Sequence, residues 1–240
     1  MLAPFLIMLR EGLEAALIVG IIAGYLRQTG RRDQLPAVWV GIFLAAAMAL
    51  FTGAALQMVS AGFPQKAQEL FEAVVGIAAV VVLVAMVFWM RRAAKSIRHE
   101  LHAGIDQALA AEGGRAAGWA LIGMVFFAVA REGLESVFFL LAIFQQSRDA
   151  AAPLGALAGI VVSALVGWAI YRGGLRLNLA RFFRWTGVVI LFVAAGLLAG
   201  ALKALHEAGL WNGLQGVVYD LGRVLPESGA VGTVLSGLLG

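Results

Sequence analysis

The sequence predicts an all-α polytopic membrane protein: six full transmembrane helices arranged as a 3+3 inverted repeat, plus the start of a seventh. Three observations carry that prediction. Of 240 residues, 62% are hydrophobic and only 13% are charged, against about 25% charged in a soluble domain. The apolar residues gather into six runs, each close to or above the roughly 20 residues that cross a hydrocarbon core. One charged pentapeptide, Arg-Glu-Gly-Leu-Glu, stands at 10–14 and again at 131–135, inside the first and fourth runs.

The first run, 3–26, is interrupted by Arg10, Glu11 and Glu14 and has no basic segment before it. It therefore reads as a retained span, not a cleaved signal peptide. Runs at 36–61 and 70–90 complete a first three-helix repeat over 1–90. Within 91–115, Ile97, Leu101, Ile105 and Leu109 recur every four residues among charged neighbours. That is the pattern of an amphipathic cytoplasmic linker helix lying on the inner leaflet, with its arginines on anionic lipid. Runs at 118–144, 154–171 and 185–203 form the second repeat, over 116–203. Residues 204–240 form an extracytoplasmic segment whose last twelve residues are apolar. Twelve are too few to cross as a helix and read as the start of a seventh span. Pro4, Pro36, Pro64, Pro153 and Pro226 all fall at or outside the edges of the runs, where a missing N–H does least harm. Membrane strands would instead alternate over about ten residues.

Charge sets the orientation. Arg27, Arg31, Arg32, Arg91, Arg92, Lys95, Arg98, Arg115, Arg172, Arg176, Arg181 and Arg184 fall on one side, and Lys66, Arg148, Lys203 and Arg223 on the other. The richer side is cytoplasmic, so the N-terminus lies outside a plasma (inner) membrane. The net charge of +4 and pI near 10.0 thus reflect loops between spans, not a nucleic-acid surface. The chain has no cysteine, so thiolate metal sites and thiol catalysis are excluded.

The doubled motif carries the chemistry. At about 100° per residue, Glu11 and Glu14 lie about 100° and 40° from Arg10. All three side chains share one arc of the helix, as do Arg131, Glu132 and Glu135. Each ionised residue at a helix centre costs about 2.5–3.5 kcal/mol on insertion scales. An odd number of spans per repeat inserts the second copy upside down, with the binding site at the midplane between the halves. There, four carboxylates and two guanidinium groups sum to −2, a charge that favours a multivalent cation. Carboxylate oxygens suit hard ions such as magnesium, calcium, manganese or ferric iron. Glu11, Glu14, Glu132 and Glu135 are the candidate metal-handling residues. Arg10 and Arg131 orient them and balance their charge, while Gly12 and Gly133 let another backbone approach. The competing reading makes Arg10–Glu14 and Arg131–Glu135 plain ion pairs that lock helices together, and it leaves Glu11 and Glu132 unexplained.

A first span with Arg-Glu-Gly-Leu-Glu followed by Ala-Ala-Leu-Ile-Val, and a fourth with Arg-Glu-Gly-Leu-Glu-Ser, resembles the oxidase-dependent iron permease family, in particular its bacterial EfeU-type branch. The likeness extends to Glu-Leu-Phe-Glu at 69–72, Val-Phe-Trp-Met-Arg-Arg at 87–92 and Leu-His-Glu-Ala-Gly at 205–209. It implies high-affinity iron import across the plasma membrane, with the four motif glutamates handling iron as the transported substrate. No organic cofactor is implied. An extracytoplasmic iron-oxidising or iron-delivering partner is: a cupredoxin-like donor or haem peroxidase in bacteria, a multicopper oxidase in fungi. The chain departs from the family at its C-terminus, where the seventh span is cut short.

Other polar residues have humbler readings beside functional ones. Glu69 and Glu72 open the third span, and His206 and Glu207 close the sixth, on the same outer side. They form either a candidate outer entry site or solvated helix ends that favour the helix dipole. His99 and His102, three residues apart on the linker helix, are expected to be membrane-interface residues and not metal ligands. Gly20–Gly24, Gly155–Gly159 and Gly196–Gly200 are small-residue pairs for helix packing. Trp39, Trp89, Trp168 and Trp211 are interfacial anchors. Ser60, Ser136 and Ser163 have no histidine or lysine partner in a span, which argues against a membrane hydrolase. Besides iron import, the composition admits a transporter of another divalent metal such as manganese, or a membrane di-iron carboxylate enzyme. The enzyme would add Glu-x-x-His motifs, and no span core here holds a histidine.

Overall fold

In the computed structural model, every described element is helical. The structure describes residues 1–93, 97–109, 114–146, 151–172, 179–211 and 213. The elements are α1 (Leu2–Gln28), a single 3-10 turn (Arg32–Gln34), α2 (Leu35–Ala61), α3 (Gln65–Ala93), α4 (Ile97–Leu109), α5 (Gly114–Gln146), α6 (Ala152–Tyr171) and α7 (Leu179–Glu207). Each of the six apolar runs lies within one helix, and most of these helices extend past the run. Polar residues at the ends still favour helix, so α3 starts five residues before its run and takes in Glu69. Pro36 and Pro153 stand in the first turns of α2 and α6, where no intrahelical N–H is required. The expected start of a seventh helix, within 214–240, lies outside the described residues.

Among the described residues, four helices are long and apolar enough to cross a membrane by length and composition: Arg32–Ala61, Gln65–Phe88, Ala152–Tyr171 and Arg181–Glu207. α1 and α5 match them in length, with 27 and 33 residues. Each of these two interrupts its apolar run with the three charges of the motif.

Packing follows small residues. α1 lies chiefly on α6, α2 on α5, and α3 on α7. The buried faces of α2 and α6 correspond position by position. Val38, Gly41, Ala45 and Ala49 on α2 stand 114 residues before Ala152, Gly155, Gly159 and Ser163 on α6. A Cβ on Gly41 would press on the Ile122 carbonyl of α5, and one on Gly155 would press on the Met1 carbonyl. Met1 and Ile122 are 121 residues apart, the spacing of the doubled motif. Likewise Gly12 abuts Ser163 and Gly133 abuts Ala49. By contrast, Gly20 and Gly24 face open space, so that pair packs nothing among the described residues. The outward faces of α2 and α6 are apolar, with Phe43, Phe51, Leu157 and Leu165 exposed. Hydrocarbon is the solvent that suits them.

Two apolar clusters form the interior. One joins Ala3 and Ile7 of α1 to Val75, Ala79 and Leu83 of α3, Phe139 and Ile143 of α5, and Ile190 and Leu197 of α7. The other joins Ile22 and Leu26 of α1 to Val38 of α2, Ile105 of α4, and Leu121 and Val125 of α5. The start of α1 thus meets the end of α5, and the end of α1 meets the start of α5, so the two run antiparallel. Both pentapeptides fall between the clusters.

The linker differs from its expected form. The helix is Ile97–Leu109, shorter than 91–115, because 91–93 continue α3 and 114–115 begin α5. Its apolar stripe does not lie open on a leaflet. Leu101, Ile105 and Leu109 pack on the α1–α5 cluster, with Ile105 fully buried. A ready apolar cleft between the two helix ends competes successfully with lipid for that stripe.

Candidate metal-handling site

Each pentapeptide sits mid-helix, and the helices that carry it pack against each other. On α1, Arg10 and Glu11 are each 1% exposed and Glu14 is 7% exposed. On α5, Glu132 is buried and Glu135 nearly so. One carboxylate oxygen from each of Glu11, Glu132 and Glu135 can be chosen so that all three lie within 4.8 Å of one another. That is the reach of oxygens around a single cation. The cluster therefore draws ligands from both copies of the motif.

Glu14 stands apart from that trio. It pairs with Arg10, whose Nε lies 3.2 Å from Glu14 Oε1, while Arg10 Nη1 lies 3.7 Å from Glu11 Oε1. These are ion pairs without hydrogen-bond alignment. Among the described residues, Arg10 Nε and Nη1, both oxygens of Glu11, Glu14 Oε1, Glu132 Oε2 and Glu135 Oε2 are buried with no hydrogen-bond partner. Each such orphan costs about 1–3 kcal/mol. They are concentrated where the two motif copies face each other.

Arg131 is less enclosed than Arg10. It hydrogen-bonds Glu135 through Nε at 3.0 Å, yet it is 53% exposed. It borders a lateral cavity of about 550 Å³ whose other walls include Met48, Val82, Phe127 and Leu134. Arg131 and Glu132 point about 100° apart on α5. With Glu132 turned inward toward Glu11, Arg131 lies toward the edge of the shared arc. Arg10 is the fully buried counter-charge, while Arg131 holds Glu135 from the cavity side.

The outer-entry residues are close but less focused. Glu69 accepts a hydrogen bond from Gln65 at 3.2 Å. Glu72 on α3 lies within electrostatic reach of Glu207 and Lys203 on α7 and of Glu69. Lys203 and Glu207 pair at 3.8 Å, and His206 Nε2 lies 2.6 Å from the Gly213 carbonyl. Among the described residues these four do not converge to ligand distance as the central three do. Ser60 and Ser163 donate back to their own helices. Trp39, Trp168 and Trp211 are exposed, as anchors require, while the side chains of Trp89 and His99 lie outside the described residues.

Two features gave no signal in the sequence reading. Gln146 of α5 is wedged between Gly76 and Gly200 and donates to the Leu197 carbonyl at 3.2 Å. Beside it, Gln145 Oε1 is buried with no partner among the described residues. The only clue available was two amides at the end of an apolar run.

The chain matches the Iron permease FTR1 family over residues 1–240. It belongs to that family. The chain is therefore a multi-pass membrane permease of the iron-transport class and not an enzyme. It is 56% identical over 240 residues to the "Ferrous iron permease EfeU" of Yersinia pestis, covering all of this chain and 84% of that protein. It is 52% identical over 240 residues to the protein of that name from Escherichia coli O6:K15:H31, covering 86% of it. No solved structure matches the chain.

Proposed function

We propose that this iron permease imports iron across the plasma membrane, with high affinity, through the buried cluster of Glu11, Glu132 and Glu135. The observation that carries the reading is the convergence of carboxylates from both motif copies between two apolar clusters. Glu14 and Arg10 complete the site. With no ion bound, Arg10 offsets the crowded acids. An arriving cation offsets the negative charge that the arginines leave uncompensated, and that attraction is strong in a low-dielectric layer. The names of the relatives agree with iron as the substrate. Family membership weighs against a di-iron enzyme.

The permeation frame is an inverted repeat of α1–α3 and α5–α7, with the acids at the midplane and α4 as the cytoplasmic link between 1–90 and 116–203. Support comes from the matched buried faces of α2 and α6 and from the reciprocal approaches of Gly41 to Ile122 and Gly155 to Met1. A rotation that exchanges the halves would exchange those contacts. Glu69, Glu72, His206 and Glu207 gather ions on the outer side, next to an extracytoplasmic partner that oxidises or delivers iron. The N-terminus is outside, by the distribution of arginine and lysine.

The test is radiolabelled iron uptake into proteoliposomes, with Fe(II), Fe(III) and Mn(II) as competitors. Iron uptake is expected, blocked by unlabelled iron and abolished by Glu132→Gln. Uptake of manganese in preference to iron would reassign the substrate, and undiminished transport by Glu132→Gln would return the motif to helix locking.

A further inference from the structure

A second group of metal-type donors lies on the arginine-rich side of the molecule, away from the acids. Tyr25 on α1 donates its hydroxyl to Asp106 Oδ1 on α4 at 2.6 Å. The His102 ring stacks on Tyr25 with centroids 4.2 Å apart and planes 28° from parallel. His102 and Asp106 are four residues apart on one helix, so both side chains point to the same face. Phenol, imidazole and carboxylate are thus brought together from two elements. Asp106 also lines a cavity of about 400 Å³ with Thr29, Arg31 and Leu109, which leaves room for water or a small chelating anion.

The frame behind these donors is rigid. Leu26, next to Tyr25, and Ile105, next to Asp106, are both fully buried in one apolar cluster. Packing therefore fixes the two helices, and the donors stand at the rim. Tyr25 lies eleven residues beyond Glu14 on the same helix, about 16 Å along its axis.

We propose that Tyr25, His102 and Asp106 form a second iron site, an exit station on the arginine-rich side that takes iron in its ferric form. Two hard oxygen donors and one imidazole suit that ion. Binding forms a phenolate–iron bond and releases the phenolic proton to water at the open rim. The proposal rests on iron being the cargo of the central site, but its own test needs no transport.

That test is a titration of the detergent-purified full-length chain with ferric nitrilotriacetate. A tyrosinate-to-iron charge-transfer band is expected in the visible. Tyr25→Phe keeps the stacked ring and should remove the band. Asp106→Asn, at an exposed position, should weaken binding roughly tenfold or more, as should His102→Ala. Glu132→Gln should stop transport and leave the band intact. Absence of a visible band, or a band that survives Tyr25→Phe, would reduce the trio to a latch between α4 and α1. Failure of the unsubstituted chain to take up iron in vesicles, with the band present, would instead count only against the reading of the central site.

Discussion

Arg10 and Arg131 occupy the same place in identical pentapeptides, yet one is 1% exposed and the other 53% exposed. Helical geometry could put each Arg-Glu-x-x-Glu on one arc, and it did so from the sequence alone. It could not say which part of a roughly 100° arc would face the other helix, because that depends on how α1 and α5 rotate against their neighbours. The consequence is unequal roles for the two arginines. Arg10→Lys should lower the maximal rate of iron uptake severely, since lysine cannot span Glu11 and Glu14 with one planar group. Arg131→Lys should be milder, because its partner Glu135 needs only a single contact; uptake by both variants in one vesicle preparation checks this, and equal losses would overturn it. Depth gives a second contrast. Exposed charges are screened, so Glu207→Gln should mainly raise the apparent Km, with activity recovering at high iron. Glu132→Gln, in a low-dielectric layer, should lower the maximal rate with no rescue by added iron. Loss of transport by Glu207→Gln at saturating iron would move the decisive step to the mouth.

At the level of helices, the six runs were legible because long apolar stretches have few alternatives in a bilayer. The partners were not, since nothing in a nearly uniform apolar helix announces which face another helix will choose. Small residues decide it. Gly155 and Gly159 lie against the backbone at the start of α1, whereas Gly20 and Gly24, with the same spacing, meet no neighbour among the described residues. A Cβ at Gly159 would meet the Phe5 carbonyl at 2.5 Å and the Leu9 nitrogen at 3.0 Å. Backbone cannot swing aside as a side chain can. Gly159→Leu should therefore destabilise the protein by about 1–3 kcal/mol or more, as overpacking does. Gly20→Leu should be close to neutral. Thermal unfolding in detergent, followed by size-exclusion fluorescence, checks the pair, and equal melting temperatures would deny the α1–α6 contact its role. The amphipathic pattern of α4 was equally legible. Its docking on protein instead of lipid was not, because a stripe of Leu101, Ile105 and Leu109 suits either apolar surface.

Across the whole molecule, orientation rests on charge. Twelve arginines and lysines fall on one side of the six runs and four on the other. Such residues near span ends resist translocation, so the proposed orientation keeps the richer side in the cytoplasm. The described fold adds a constraint that the count alone lacks. α4 packs against the end of α1 and the start of α5, so the 30–34 turn and α4 must share one side. Gly62, between α2 and α3, is exposed, and so is Gln107 on α4. The chain has no cysteine of its own, so a single introduced thiol reports its position without background. Gly62→Cys should react with a membrane-impermeant maleimide in intact cells. Gln107→Cys should react only after the membrane is opened. Neither position touches the carboxylate cluster, so each variant can be checked for iron uptake before labelling. Labelling of Gln107→Cys from outside, with Gly62→Cys protected, would invert the molecule and put Tyr25, His102 and Asp106 at the entrance of the path instead of its exit.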